Sequence, residues 1–163
     1  MNIQVNVEGL AEIERKLKQL PEKIGRNAMR RALRKGANVI RDAARSNARR
    51  IDDPETREQI WKNLAVASGG RRREKEVGGV MMRVGVLGGA KQRRRGGGTY
   101  EVGGSKENPG GDTFYWRFLE LGTSQMPAQP FLTPAGAEKA QAAYDATAAD
   151  MIKQIDKELS KLG

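Results

Sequence analysis

The sequence predicts an α+β fold: an antiparallel β-sheet, sandwich- or barrel-like, packed by a long helix in the N-terminal half and a long C-terminal helix. Three observations lead to it. Short runs with apolar, often β-branched side chains at alternate positions mark strands. Two long stretches repeat apolar residues at three- and four-residue spacing, which marks helices. Both kinds of element alternate within 163 residues, a length that suits one domain, 1–163, in which helices cover a sheet.

In chain order, Ile3, Val5 and Val7 alternate with polar neighbours and predict a half-buried strand. Leu10, Ile13, Leu17 and Leu20 then fall at helical spacing, up to Pro21. A longer helix is predicted from Glu22 to about Ala48. Its Ala28, Ala32, Gly36, Ile40 and Ala44 lie on one side and, being mostly small, admit close approach of another backbone. Lys23, Arg30, Arg34, Arg41 and Arg45 lie within about 60° of one another on the opposite side. This arc is either a solvated surface or a partner-facing stripe; five like charges on one arc repel unless an acidic or phosphate partner faces them, which favours the second reading.

Asp53 is a candidate N-cap for a short helix from Pro54 to about Asn63. Leu64–Ser68 and Val80–Leu87 read as strands, the second with Val80, Met82, Val84 and Val86 on one face. Between them the run GGRRREKEVGG, about 69–79, is predicted to be a hairpin extension or mobile arm. A second insertion, about 88–112, is dominated by Gly, Arg, Asn and Ser, with room for a short strand at Thr99–Val102. The basic clusters Arg71, Arg72, Arg73 and Lys91, Arg93, Arg94, Arg95 sit on these two arms. No aromatics are interleaved with them, so any nucleic-acid contact would be to phosphates and independent of sequence. An acidic neighbouring protein is the alternative.

The C-terminal helix is predicted from Pro134 to Leu162. Its stripe of Tyr144, Ala148, Met151, Ile155, Leu159 and Leu162 reads as packing against the sheet rather than a coiled coil, since it spans about four heptads at most and is rich in Ala.

Composition excludes several chemistries. Cysteine and histidine are both absent, which removes disulfides, thiolates, the commonest general base and the commonest metal ligand. No cofactor is therefore expected. The balance of 30 Lys+Arg against 20 Asp+Glu gives a net charge of +10, favouring acidic or polyanionic partners. No apolar run nears the roughly 20 residues of a membrane span, and no signal-peptide pattern opens the chain.

The most informative stretch is FYWRFLELGTSQMPAQPFLTPA, from Phe114 to Ala135. An aromatic helix is predicted to end at Leu121, with Gly122 at φ > 0 as its C-cap. A proline-stiffened loop follows, and Pro134 suits the first turn of the next helix. Glu120 and Thr123 have three readings. They hydrogen-bond backbone groups freed at the helix end or on an adjacent loop, they form an acid–base pair, or Glu120 meets an arginine of a neighbouring subunit. Phe131 is either a core anchor or an interface anchor on a preorganised loop, and Trp61 and Trp116 divide in the same way.

Tyr115, Glu120, Gly122, Thr123, Pro130, Phe131, Leu132, Pro134 and Ala135 together resemble the pattern of the tail-completion, or head–tail joining "neck", proteins of lambdoid-type siphophages, the minor tail protein Z-like group. Nothing in that pattern explains the charge of the insert from Gly69 to Gly111. The resemblance implies a hexameric ring protein of the virion neck, assembled in the bacterial host cytoplasm. Its partners would be further copies of itself, a head-side connector or adaptor, and a tail-terminator or tail-tube protein. The implied interface residues are Tyr115, Trp116, Glu120, Gly122, Thr123, Pro130, Phe131 and Pro134. The basic arc would face either the lumen, where non-specific contact to packaged DNA is open to it, or an acidic neighbour, and no enzyme activity or membrane contact is implied. Two alternatives remain: a sequence-independent nucleic-acid-binding protein, and a metal-dependent nuclease built from Asp112, Glu120 and Asp52 or Asp53.

Overall fold

The structure, a computed structural model, describes residues 4–7, 9–51, 58–87, 109–111 and 113–161. Helix α1 spans Leu10–Leu17 and α2 Glu22–Ala48. A single turn, α3 (Ile60–Asn63), leads into strand β1 (Leu64–Ser68). Helix α4 (Arg71–Glu76) connects β1 to β2 (Met82–Val86). Helices α5 (Trp116–Leu121), α6 (Leu132–Glu138) and α7 (Ala140–Leu159) complete the order.

The strands form a two-stranded sheet. Leu87 N–H donates to Asn63 C=O and Gly69 N–H to Met81 C=O, each at 2.8 Å. The paired residues run in opposite directions along the chain, so the strands are antiparallel. The expected class is therefore right in being mixed, but no sandwich or barrel closes among the described residues. The strand expected at Ile3–Val7 does not form over 4–7. There the Gln141 side chain stands in for a neighbouring strand: Asn6 N–H donates to its Oε1 at 2.8 Å, and its Nε2 donates to Asn6 C=O at 3.2 Å.

Two other expectations are corrected. The 69–79 arm is an ordered helical connection. Gly70, at φ 81°, sets its start and Gly78, at φ 66°, its end, and Glu74 is buried with its carboxylate 2.9 Å from Arg30 Nη2. The run reads as mobile because the partner that orders it lies far away in sequence. The single C-terminal helix is two helices, separated at Lys139 (φ −103°, ψ 7°). Asp53, the 91–95 cluster and the Thr99–Val102 strand lie outside the described residues.

The chain divides into two compact units. One comprises Met1–Ile40, Val66–Arg83 and Lys139–Gly163, the other Arg41–Ala65 and Val84–Glu138. In the first, Ile13 of α1, Ala32 of α2, and Met151 and Ile155 of α7 are buried together with Leu20. Met151 and Ile155 of the expected α7 stripe thus pack with residues of α1 and α2, and Ala148 and Leu159 lie against them; Leu162 lies outside the described residues. Gly36 lets α7 approach closely, because a Cβ there would meet Thr147 Oγ1 and the Ala143 carbonyl. In the second unit Ala44, Ala48, Ile60, Leu64, Phe131 and Ala135 form the core, flanked by Trp61, Tyr115, Trp116 and Leu119.

Candidate functional site

The site is the segment from α5 to α6 in the second unit, and its organising residue is Glu120. Helix α6 begins with backbone N–H groups that have no partner inside the helix. Glu120 supplies one from outside: Oε2 accepts from Phe131 and Leu132 N–H at 2.9 Å each, and Oε1 from Thr133 N–H at 2.7 Å. The carboxylate is buried. Burial alone would raise its pKa, but hydrogen bonds from the Thr133 side chain and the three backbone N–H groups outweigh it, leaving the pKa below the ordinary value. Both oxygens are engaged within the chain, so Glu120 is a cap for α6.

The loop between the helices is fixed along its length. Gly122 N–H closes α5 onto Phe118 C=O at 2.8 Å. Gly122 adopts φ 74°, ψ 176°, a region open in practice to glycine alone, and a Cβ there would crowd Ala128 N and Met126 O. Thr123 Oγ1 accepts from Gln125 and Met126 N–H at 3.2 and 3.1 Å. Gln129 N–H returns to Leu119 C=O at 2.7 Å. Thr123, Pro127 and Pro130 remain exposed on this framework. On the neighbouring α5, Phe118 is 51% and Leu121 68% exposed.

These placements separate the residues proposed for an interface. Phe131 is wholly buried, Tyr115 and Trp116 pack against the same core, and Asn47 Nδ2 donates to Phe131 C=O at 3.2 Å. Phe131 therefore anchors the core beneath the loop and offers no side-chain surface to a partner. Gly122 and Pro134 are half-buried. Within this segment the large exposed apolar residues are Phe118 and Leu121, which sequence reasoning did not single out. The density of apolar residues in α5, more than its six positions can bury, is the signal that would have found them.

Asn63 is a second residue that sequence reasoning missed. Fully buried, it donates through Nδ2 to Gly111 C=O and Thr113 Oγ1, each at 2.8 Å, and accepts from Gly110 N–H at 2.7 Å. It ties Gly110, Gly111 and Thr113 to the end of α3.

The basic arc does not stand free. Arg30 pairs with Glu74 and Arg41 with Asp42, the latter at 2.7 Å. Arg45 donates through Nε and Nη2 to Leu64 C=O at 3.2 and 2.8 Å. Burial first, then the charges of Arg41 and Arg49, lower the Arg45 pKa, with Asp42 acting against them. Arg45 is thus a structural donor to the start of β1. Lys23 and Arg34 are exposed. Trp61 is half-buried under the Arg49 guanidinium, 4.2 Å from its ring centroid, a cation–π contact.

Among the described residues no group of three or more acidic side chains is placed to hold a metal ion, and Asp52, Asp53 and Asp112 lie outside them. No helix there is long and apolar enough to cross a membrane. The arrangement is suited to presenting a fixed surface.

Comparison with known proteins agrees with that character. Neither the curated proteins nor the solved structures give a match. The model of the HK97-gp10-like family, described as "Bacteriophage HK97-gp10, putative tail-component", matches residues 11–122. The match runs from α1 through α5 to Gly122, well over half of the chain. It supports a phage tail-related structural protein without reaching the particular Z-like group. The chain belongs to the HK97-gp10-like family of phage tail components.

Proposed function

We propose that this protein is a structural component of the neck of a tailed-phage or prophage particle, one copy of a closed hexameric ring that completes the tail and joins it to the head. Its work is assembly, with no reaction and no cofactor. Heterologous contacts between identical copies close into a ring when the rotation between neighbours closes. The ring would meet a head-side connector or adaptor on one face and a tail-terminator or tail-tube protein on the other.

The observation that carries this reading is the fixed, exposed surface of α5 and its loop. A partner covering Phe118 and Leu121 would remove two large apolar side chains from water, about 1.5–3 kcal/mol for each fully buried. The loop beside them is already held by Glu120, Thr123 and Gly122, so little conformational entropy remains to be lost on docking. Membership of a tail-component family supports the particle and its tail side.

The test is the double substitution Phe118→Asp with Leu121→Asp, supplied in trans to a phage lacking the protein. The variant should melt like the parent, while electron micrographs show heads and tails accumulating unjoined. Normal titres with the variant, or absence of the protein from purified particles, would defeat the proposal.

A further inference from the structure

We propose that the face of α2 and α4 bearing Arg26, Arg30, Arg31, Arg34, Arg71 and Lys75 is a docking surface for the phosphodiester backbone of double-stranded nucleic acid. The inference concerns the first unit only and stands apart from the neck assignment.

Two shallow grooves lie on this face. One, of about 350 Å³, is lined by Arg26, Arg71, Glu74, Lys75 and Gly78. The other, of about 340 Å³, is lined by Asn27, Arg30, Arg31 and Arg34. Glu74 joins them: its Oε2 lies 2.9 Å from Arg30 Nη2 and 3.9 Å from Arg26 Nη2. Together the grooves present six cations against one carboxylate, and that carboxylate is buried. Two further acids contact arginines of this face: Glu22 reaches Arg26 at 3.5 Å and Glu158 reaches Arg31 at 4.0 Å. The positive face is a feature of the folded unit, since α4 brings Arg71 and Lys75 beside a helix more than thirty positions earlier in the chain.

The chemistry selects the partner. A protein interface has an apolar or aromatic centre, and no apolar side chain lines either groove. Five of the six cations are arginines, whose planar fork suits phosphate oxygens. No aromatic lines the grooves, so the stacking platform of single-strand binders is missing. The span from Arg26 to Arg34 covers about 12 Å of helix axis, which faces three to four phosphates of one duplex strand at about 3.4 Å each. The contacts are to phosphate and carry no base sequence.

The experiment measures binding of the full chain to a fluorescent duplex by anisotropy between about 50 and 200 mM salt. The variant is Arg31→Gln, Arg34→Gln, Lys75→Gln, all on exposed side chains. It should bind more weakly to unrelated sequences alike, with a log–log salt slope shallower by about 2–3. Arg93→Gln, Arg94→Gln, Arg95→Gln removes the same charge elsewhere and should leave most of the slope. Should the first variant melt early, Arg34→Gln alone reads the same surface and should reduce the slope by about 1. Unchanged binding, an equal loss in both triple variants, or displacement of duplex by polyglutamate at equal charge would each overturn the assignment. The last result would identify an acidic protein as the partner.

Discussion

The Glu120 carboxylate accepts the backbone N–H of Thr133 at 2.7 Å, so a side chain near the end of α5 caps the first turn of α6. Because the cap comes from another helix, it fixes the loop between the two as well as the helix end. The negative charge also lies at the positive end of the peptide dipoles of α6.

The linked proton equilibrium gives a pH dependence. The Glu120 pKa is lowered in the folded protein relative to its ordinary value of 4.5. Its stabilisation is therefore fully present above the unfolded value and is lost as pH falls through the folded one. Glu120→Gln, which keeps the shape but removes the charge, should destabilise by about 2 kcal/mol at neutral pH. The gap between parent and variant should narrow below about pH 4.5. Urea melts across that range measure it, and a constant gap would show that the charge is immaterial.

Phe131→Ala probes the core and not the particle. Emptying a fully buried phenylalanine site costs about 3–5 kcal/mol, so this variant should lose much of its stability in a denaturant melt. A melt like that of the parent would place Phe131 outside the core and return it to the interface.

Two glycines of α2 should respond with opposite signs. At Gly25 a methyl group meets Leu17 Cδ2 at an ordinary 3.6 Å, so Gly25→Ala should stabilise by about 0.5–1 kcal/mol through helix propensity. At Gly36 the added carbon runs into the Ala143 carbonyl, which cannot yield as a side chain tip would. Gly36→Val should destabilise by about 1–3 kcal/mol. Thermal melts of the two single variants decide it.

Asn63→Ala leaves Gly110 N–H and Gly111 C=O without their buried partner. A loss of about 3 kcal/mol is expected. Asn63→Asp should be no better, since a carboxylate cannot donate to Gly111 C=O or Thr113 Oγ1. Chemical denaturation of both variants tests this, and a mild effect from Asp would show the network to be dispensable.

What could be read from sequence was local. The span of α2, the positive φ of Gly122 and Pro134 in the first turn of α6 all follow from residues within a turn of one another. What escaped was set by distant partners. Glu120 meets Phe131 across 11 positions, Arg30 meets Glu74 across 44, and Asn63 meets Gly110 across 47. Alternation at 3–7 misled because a side-chain amide on α7 does the work of a strand. The break at Lys139 carries no proline or capping side chain that would have announced it.

Asn63 also has a bearing on how the gene can change. Its main-chain oxygen holds Leu87 at 2.8 Å and its side chain holds Gly110 at 2.7 Å, so the polypeptide departs and returns beside one buried amide. The bond to Leu87 comes from the main chain and survives any substitution, whereas the bond to Gly110 depends on the side-chain amide. A codon change at this one position therefore frees Gly110 while Leu87 stays tied.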